Sequence, residues 1–292
     1  MDSPSDVANQ VKKFWSDIFE KELREDTLLP GLVSRDYEGE IKQKGDTVYV
    51  TQVNAASGEI RDIGTDSDSF TPEALSVQRI SITVNKRIVA SYEFEDLMDI
   101  QTQLDKENPE ILASLKFAVE KQLNDYLYTL VAPSSSAPDH TTASVTDFNL
   151  AQLSAQRILA AQAKWNKLKP WYCLLDPVYY GDVLTDTTLA STDFGGNDAP
   201  IIAGQISLRR MGFNILEDNS DGILTISSAD SADCALLFHP DFMHLVMGEP
   251  RFKISDLHPN KQFGYVLSVD MLIGAALGND GAKKHITVQN NA

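Results

Sequence analysis

Apolar and polar residues alternate from Ser76 to Asp96, in SVQRISITVNKRIVASYEFED, for longer than a small globular fold ordinarily needs. Ile80, Ile82 and Val84 fall on one face, and Arg79, Ser81, Thr83 and Asn85 on the other, as period-two geometry requires of a half-buried strand. One strand from Val77 to Ala90 would reach on the order of 45 Å at ~3.3 Å per residue. Upstream, KGDTVYVTQV predicts a second strand opened by a Gly45-Asp46 turn. The Gly-, Ser- and Asp-rich NAASGEIRDIGTDSDSFTPEA between the two predicts a flexible tip. Two strands alone cover too little apolar surface to offset the entropy of ordering their backbone. After Asp96 the pattern turns helical, so a neighbouring subunit is the expected cover for the arm.

Elsewhere the period lengthens to that of helices. Val7, Val11, Phe14, Ile18 and Phe19 predict an amphipathic helix to about Arg24 behind a Ser5-Asp6 start, ending before TLLPGLV. From Pro109 to Val131, Ile111, Leu112, Leu115, Val119, Leu123, Tyr126, Leu127 and Leu130 form one apolar stripe about 34 Å long. APSSSAPDHTTAS breaks it, and a further helix is expected from Asn149 to Trp165, on Leu150, Leu153, Ile158, Ala161 and Trp165. WYCLLDP then predicts a buried strand and VYYGDVL a short helix. MGFNIL, GILTIS, CALLFH, RFKISDL and GYVLSVDMLIGAAL are strand candidates divided by turn clusters such as EDNSDG and GNDGAKK. No internal repeat is present, and the order is α+β, without the regular βαβ alternation of a nucleotide-binding sheet.

Composition changes the picture mainly by exclusion. A chain of 292 residues, 42% hydrophobic, can bury a sizeable core in one large domain or two. A formal charge of -17 argues against tight nucleic-acid binding, which needs clustered Lys and Arg, so any such contact is expected to be loose. The opening MDSPSDVANQ is acidic where a secretory signal is basic, and no apolar run nears the roughly 18 residues of a membrane span. These features predict a soluble protein made in a reducing cytoplasm. Cys173 and Cys234, far apart and without metal-ligand spacing, are expected to be reduced thiols in packed positions.

Candidate chemistry is sparse. Glu93, Glu95, Asp96 and Asp99 offer paired carboxylates of the kind a glycosidase sets about 5 to 10 Å apart, but no saccharide-stacking cleft accompanies them. An acidic lead-in to a helix accounts for them better. Glu217, Asn219, Asp221 and Gly222 match positions one, three, five and six of a calcium loop, yet Ser228 stands where the bidentate Glu belongs and the flanks are strand-like. A hairpin turn is the expected structure there, with an ion shared between subunits left open. His140, His239, His244, His258 and His285 include no HExxH pair and no zinc spacing. GxSxG, GxxxxGK[ST] and GxGxxG are absent, and FGGNDAP is at best a weak phosphate cradle. A shell protein and an enzyme of unrecognised type both remain open on these residues alone, with no cofactor implied.

The run GDTVYVTQV, its polar tip, ISITVNKRIVASYEFEDL, the helix PEILASLKFAVEKQLNDYLYTL, WYCLLDPVYYGDVL and the closing YVLSVDMLIGAAL together resemble the major capsid proteins of tailed phages, the Hong Kong ninety-seven-type coat fold. The likeness lies in element order over nearly the whole chain, and a cellular encapsulin compartment shares that fold. It implies an N-terminal arm over residues 1–37, an E-loop ribbon over 38–92, a peripheral domain with a spine helix over 93–144, an axial domain over 145–240 and peripheral strands over 241–292. The resemblance further implies subunit contacts at the E-loop tip, Ser57, Gly58, Glu59, Ile60, Arg61 and Asp62, and at an axial loop, Phe194, Gly195, Gly196, Asn197 and Asp198. The implied partners are other copies of the chain in hexamers and pentamers, a separate scaffold protein because an N-arm follows Met1 almost at once, a portal, a decoration protein and, loosely, packaged DNA, with no membrane. The expected place is a virion capsid assembled in the host cytoplasm, without catalysis. Some members weld their shells through an E-loop Lys and a neighbour's Asn. The tip from Ala56 to Phe70 has no Lys, Lys42, Lys44 and Lys86 lie toward its base, and Asn260 and Asn279 are acceptors without a donor. A shell held without covalent links is therefore expected.

Overall fold

The computed structural model describes residues 24–37, 47–58, 72–95, 109–132, 140–142, 144–186, 209–227, 233–256 and 264–290. The chain divides into two compact units: a smaller one of Met1–Arg24, Val89–Glu120 and Pro250–Met271, and a larger one of Glu25–Ile88, Lys121–Glu249 and Leu272–Ala292. The described elements are α1 (Leu29–Leu32), β1 (Thr47–Val53), β2 (Val77–Thr83), β3 (Lys86–Glu95), α2 (Pro109–Val131), β4 (His140–Thr142), α3 (Leu150–Gln162), β5 (Trp171–Leu175), α4 (Pro177–Thr185), β6 (Phe213–Glu217), α5 (Asp221–Leu224), β7 (Cys234–Phe238), β8 (Met243–Met247), β9 (Arg251–Asp256), β10 (Gly264–Leu277) and β11 (His285–Gln289).

The larger unit is built on a five-stranded sheet in the order β4-β11-β7-β5-β6, with parallel pairs at its two ends and antiparallel pairs between. Register decides its two faces. Cys173 pairs with Leu237 and with Ile215, and Leu237 with Ile286, so these side chains share one face. Leu153 and Ala160 of α3 and Tyr179, Tyr180 and Val183 of α4 complete the core on that face. Each fully buried Leu or Phe there contributes ~1.5–3 kcal/mol relative to exposure. The other face carries an aromatic chain, with Tyr172 on Phe238 at 5.6 Å, Phe238 on Phe242 at 4.8 Å and Phe242 on His285 at 5.6 Å. β5 is buried on both faces, with Trp171, Cys173, Leu174 and Leu175 all buried, which is why WYCLL reads as a nearly continuous apolar run.

Capping residues set the two helices on this sheet. Asn149 accepts from Gln152 N at 3.1 Å to open α3, and Asp176 accepts from Tyr179 N at 3.0 Å to open α4, with Pro177 in its first turn. In α2, Leu115 and Val119 are buried in the smaller unit, and Leu123, Leu127, Tyr128 and Val131 in the larger. Its bounds coincide with those expected from the stripe. β10 pairs with β9 along its first half, in the smaller unit, and with β8 along its second half, in the larger, while β3 is its remaining neighbour.

Several expectations need correction. The long alternating run is two strands: β2 stops at Thr83 and β3 starts at Lys86. β2 pairs with β1 whereas β3 pairs with β10, so the change of partner ends the ladder. GILTIS is no strand; its first residues form α5 and the next a turn. The helix expected to reach Trp165 stops at Gln162, and Ile158, placed on its apolar stripe, is 55% exposed while Gln156 is buried instead. Glu93 and Glu95 lie on β3 and not at a helix start, and Asp96 and Asp99 fall outside the described residues. The helix expected from Val7 also falls outside them. β4, β8 and β11 were not anticipated.

Candidate assembly surfaces

The β1–β2 ribbon runs in register from Thr47 opposite Thr83 to Val53 opposite Val77. Its inner face follows from the alternation: Val50, Ile82 and Val84 are buried with Val246 of β8, and Ile80, Tyr37, Leu272 and Ala276 pack around them. The foot of the arm is thus covered by its own chain, a correction to the expectation that a neighbour supplies all the cover. Glycine permits the approach, since a Cβ at Gly274 would stand 2.7 Å from the Thr83 carbonyl oxygen and 3.1 Å from Val84 Cα. Asn279, buried, donates through Nδ2 to the Val50 carbonyl at 3.2 Å, and Gln52 donates to Asp280 Oδ2 at 3.1 Å. Asn279, considered above as an isopeptide acceptor, is engaged at this foot.

The segment before the arm is fixed as well. Ser34 N donates to the Pro240 carbonyl at 3.2 Å, Leu245 N donates to the Ser34 carbonyl at 2.9 Å, and Tyr37 meets His244 edge-on at 5.1 Å. Burial holds the His239 and His244 pKa values below the usual imidazole range, which keeps both rings neutral near pH 7.

Beyond the foot the arm loses its cover. Val53, Leu75 and Val77 are exposed there, Leu75 by 77%, while Tyr49 is exposed on the outer face of the foot itself, with the Arg79 guanidinium 3.7 Å from the centre of its ring. Backbone and side chains continue the pairing past β1 and β2: Asn54 N donates to the Ser76 carbonyl at 3.0 Å, Asn54 Nδ2 donates to Ser76 Oγ at 3.0 Å, and Ser57 N donates to Glu73 Oε2 at 2.9 Å. The Ser57 hydroxyl donates to the same carboxylate, and these two bonds, the hydroxyl first, lower the Glu73 pKa. Of the expected tip contacts, Ser57 and Gly58 therefore lie on the described ribbon and are exposed, while Glu59, Ile60, Arg61 and Asp62 lie outside the described residues. Phe194, Gly195, Gly196, Asn197 and Asp198 of the expected axial loop also lie outside them. In the smaller unit, Phe252 and Ile254 of β9 and Val89 and Tyr92 of β3 form a second set of exposed apolar side chains.

The calcium-like stretch serves a different purpose. Asp218, fully buried, accepts from the Tyr128 hydroxyl of α2 and from Ser220 N at 2.9 Å. Asn219 accepts from Asp26 N at 2.6 Å, and Asp221 N donates to Glu25 at 2.8 Å. Lys121 bridges Glu25 and Asp221, the latter at 2.9 Å, and the Glu25 carboxylate is the chief reason its pKa is raised. The loop ties residues 25 and 26 to α2. Among the described residues no group of three or more His, Cys, Asp or Glu is placed to hold a metal ion. Cys173 and Cys234 are buried free thiols, and burial raises the Cys234 pKa to about 12, far from a reactive thiolate. No described helix is long and apolar enough to cross a membrane.

No protein-family model matches the chain, and no curated protein matches its sequence. Solved structures do match. A chain of Mycobacterium phage Che8 is 16% identical with a TM-score of 0.75, the match covering 96% of this chain and 97% of that one. The capsid structure of Cyanophage P-SCSP1u is 16% identical at TM-score 0.73, covering 97% and 93%. The capsid of Cyanophage Pam1 is 14% identical at TM-score 0.73, covering 96% of each chain. Matched over nearly its entire length, this chain has the α+β fold of tailed-phage capsid proteins.

Proposed function

We propose that this chain is the major coat subunit of a tailed-phage head, which self-assembles into the icosahedral shell around the genome. The observation that carries the reading is the fold match to phage capsid chains over 96% or more of the sequence. The arm supports it physically, because its foot is anchored and its distal apolar residues are exposed, the arrangement expected of a strand ribbon that docks on another copy. On this reading residues 1–37 are the N-arm, 38–92 the E-loop, 93–144 the spine-helix peripheral domain, 145–240 the axial domain and 241–292 the returning peripheral strands. Contacts from Ser57 to Asp62 and from Phe194 to Asp198 join copies into hexamers and pentamers, a separate scaffold, a portal and a decoration protein complete the head, and the chain performs no catalysis. Its place is the virion capsid, assembled in the host cytoplasm.

Removing Ala55 to Ser69 tests the reading. The shortened chain keeps the anchored foot, so it is expected to remain soluble and folded while failing to close shells, as read by circular dichroism and sedimentation. Normal-sized shells from it would remove the arm from the assembly contacts.

A further inference from the structure

Against a formal charge of -17, one cavity of the larger unit is strongly basic. Arg157, Lys167, Lys169, Arg209, Trp171 and Gly212 line a space of about 150 Å³. Three separate chain segments converge to make it. Arg157 comes from α3. Lys167 and Lys169 come from the loop after that helix, where Trp165 N and Lys164 N return to the Ala160 and Ala161 carbonyls at 3.1 Å each, a helix-ending turn with Lys164 left-handed at φ 60°. Arg209 precedes, and Gly212 lies within, a tight turn closed by two bonds between Arg210 and Phe213.

The floor is rigid. Trp171, buried, donates through Nε1 to the Asn166 carbonyl at 2.8 Å, and Trp165 donates to the Lys283 carbonyl at 2.7 Å. The two indoles meet edge-on at 5.5 Å, and Phe213 packs 5.5 Å from Trp171. Arg157 Cζ lies over the Trp171 ring, 4.5 Å from its centre, so its guanidinium is held against the cavity wall. Gly212 lines the wall beside it at φ 91°, a backbone conformation that favours glycine.

Charge decides the ligand. Of the four cations, Lys169 is matched by a carboxylate, Asp241 Oδ1, at 2.7 Å, and among the described residues it is the one with such a partner. Lys167 and Arg209 are exposed at the mouth. Four positive charges against one negative leave an excess that a single carboxylate would not neutralise. Two planar guanidinium forks suit an oxyanion with several acceptor oxygens. Because Arg157 already covers the Trp171 ring, no aromatic face is left for a nucleobase to stack on. We infer that this cavity is a phosphate-binding site, taking a phosphate group either from a nucleic-acid backbone or from free phosphate. The inference rests on the larger unit alone and does not depend on shell formation.

The test uses the full chain as unassembled subunits, titrated calorimetrically with inorganic phosphate and, separately, with a short DNA duplex. Saturable phosphate binding is expected, weakened at least about tenfold by the double substitution Lys167→Gln and Arg209→Gln at an unchanged melting temperature. Lys167→Gln alone, at an exposed position, gives the same direction if the double variant misfolds. Duplex binding weakened in the same variant, with its logarithmic salt slope reduced by about 1 per phosphate contact removed, assigns the group to nucleic acid. Phosphate binding without duplex binding assigns it to the free ion. Absent phosphate binding, unchanged binding by the variants, or acetate binding as tightly as phosphate would each overturn the inference.

Discussion

Asp176 shows how a single residue balances two demands. Its carboxylate caps α4 through Tyr179 N, yet burial, the largest effect, raises its pKa to about 6. A carboxyl whose pKa is higher folded than unfolded favours folding in its protonated form, so ionisation costs stability. That cost is absent below about pH 4 and complete above about pH 6. Asp176→Asn retains a cap acceptor without the charge and is expected to stabilise the chain by ~1–2 kcal/mol at pH 7.5. The advantage should vanish as pH falls from 6 to 4, as measured by denaturant unfolding, and an Asn variant less stable at pH 7.5 would show that the ionised cap is favourable. At this scale the sequence was least informative about sites. The basic cavity joins Arg157, Lys167, Lys169 and Arg209 from three segments, so no local run of Lys and Arg announces it, and the expectation that such clustering is absent followed from reading neighbours along the chain.

Elements were legible where one period ran unopposed. The α2 stripe has a cap-like Pro109 and a Pro- and Ser-rich end, and its bounds are those expected. Leu115→Asp or Leu123→Asp puts an unpaired charge at a position no more than 3% exposed and is expected to cost several kcal/mol, abolishing soluble protein and not assembly alone. Either variant melting as the wild type does would show that the stripe does not face a core. Legibility failed where partners overrode local preference. The alternation from Val77 to Ala90 continues through Val84 and Asn85, but the chain changes neighbours there, from β1 to β10, and alternation carries no information about which strand lies alongside. GILTIS is β-branched and apolar, yet Asp221 N is held by Glu25, and Gly222 sits where a Cβ would meet Tyr128 at 2.6 Å, so tertiary contacts make its start helical. Ile158 was misplaced because the face of α3 that meets the sheet runs through Leu153, Gln156 and Ala160.

For the whole molecule, on the proposed coat-subunit reading, charge sets the problem that assembly has to solve. Copies of charge -17 repel one another, so strand docking and packing must offset that repulsion, and it weakens as salt rises. With no Lys from Ala56 to Phe70 to act as a nucleophile and Asn279 committed to the Val50 carbonyl, the contacts are expected to be non-covalent. Assembled particles boiled in detergent should run as one band near the 32.2 kDa chain mass, whereas a ladder of multimers surviving reductant would require a cross-link elsewhere. The coat-subunit reading itself is tested most directly by electron microscopy of the purified chain, imaged after sizing. Closed icosahedral shells built of hexamers and pentamers are the outcome this account predicts; a population that stays as monomers or small oligomers across salt and protein concentration would contradict it.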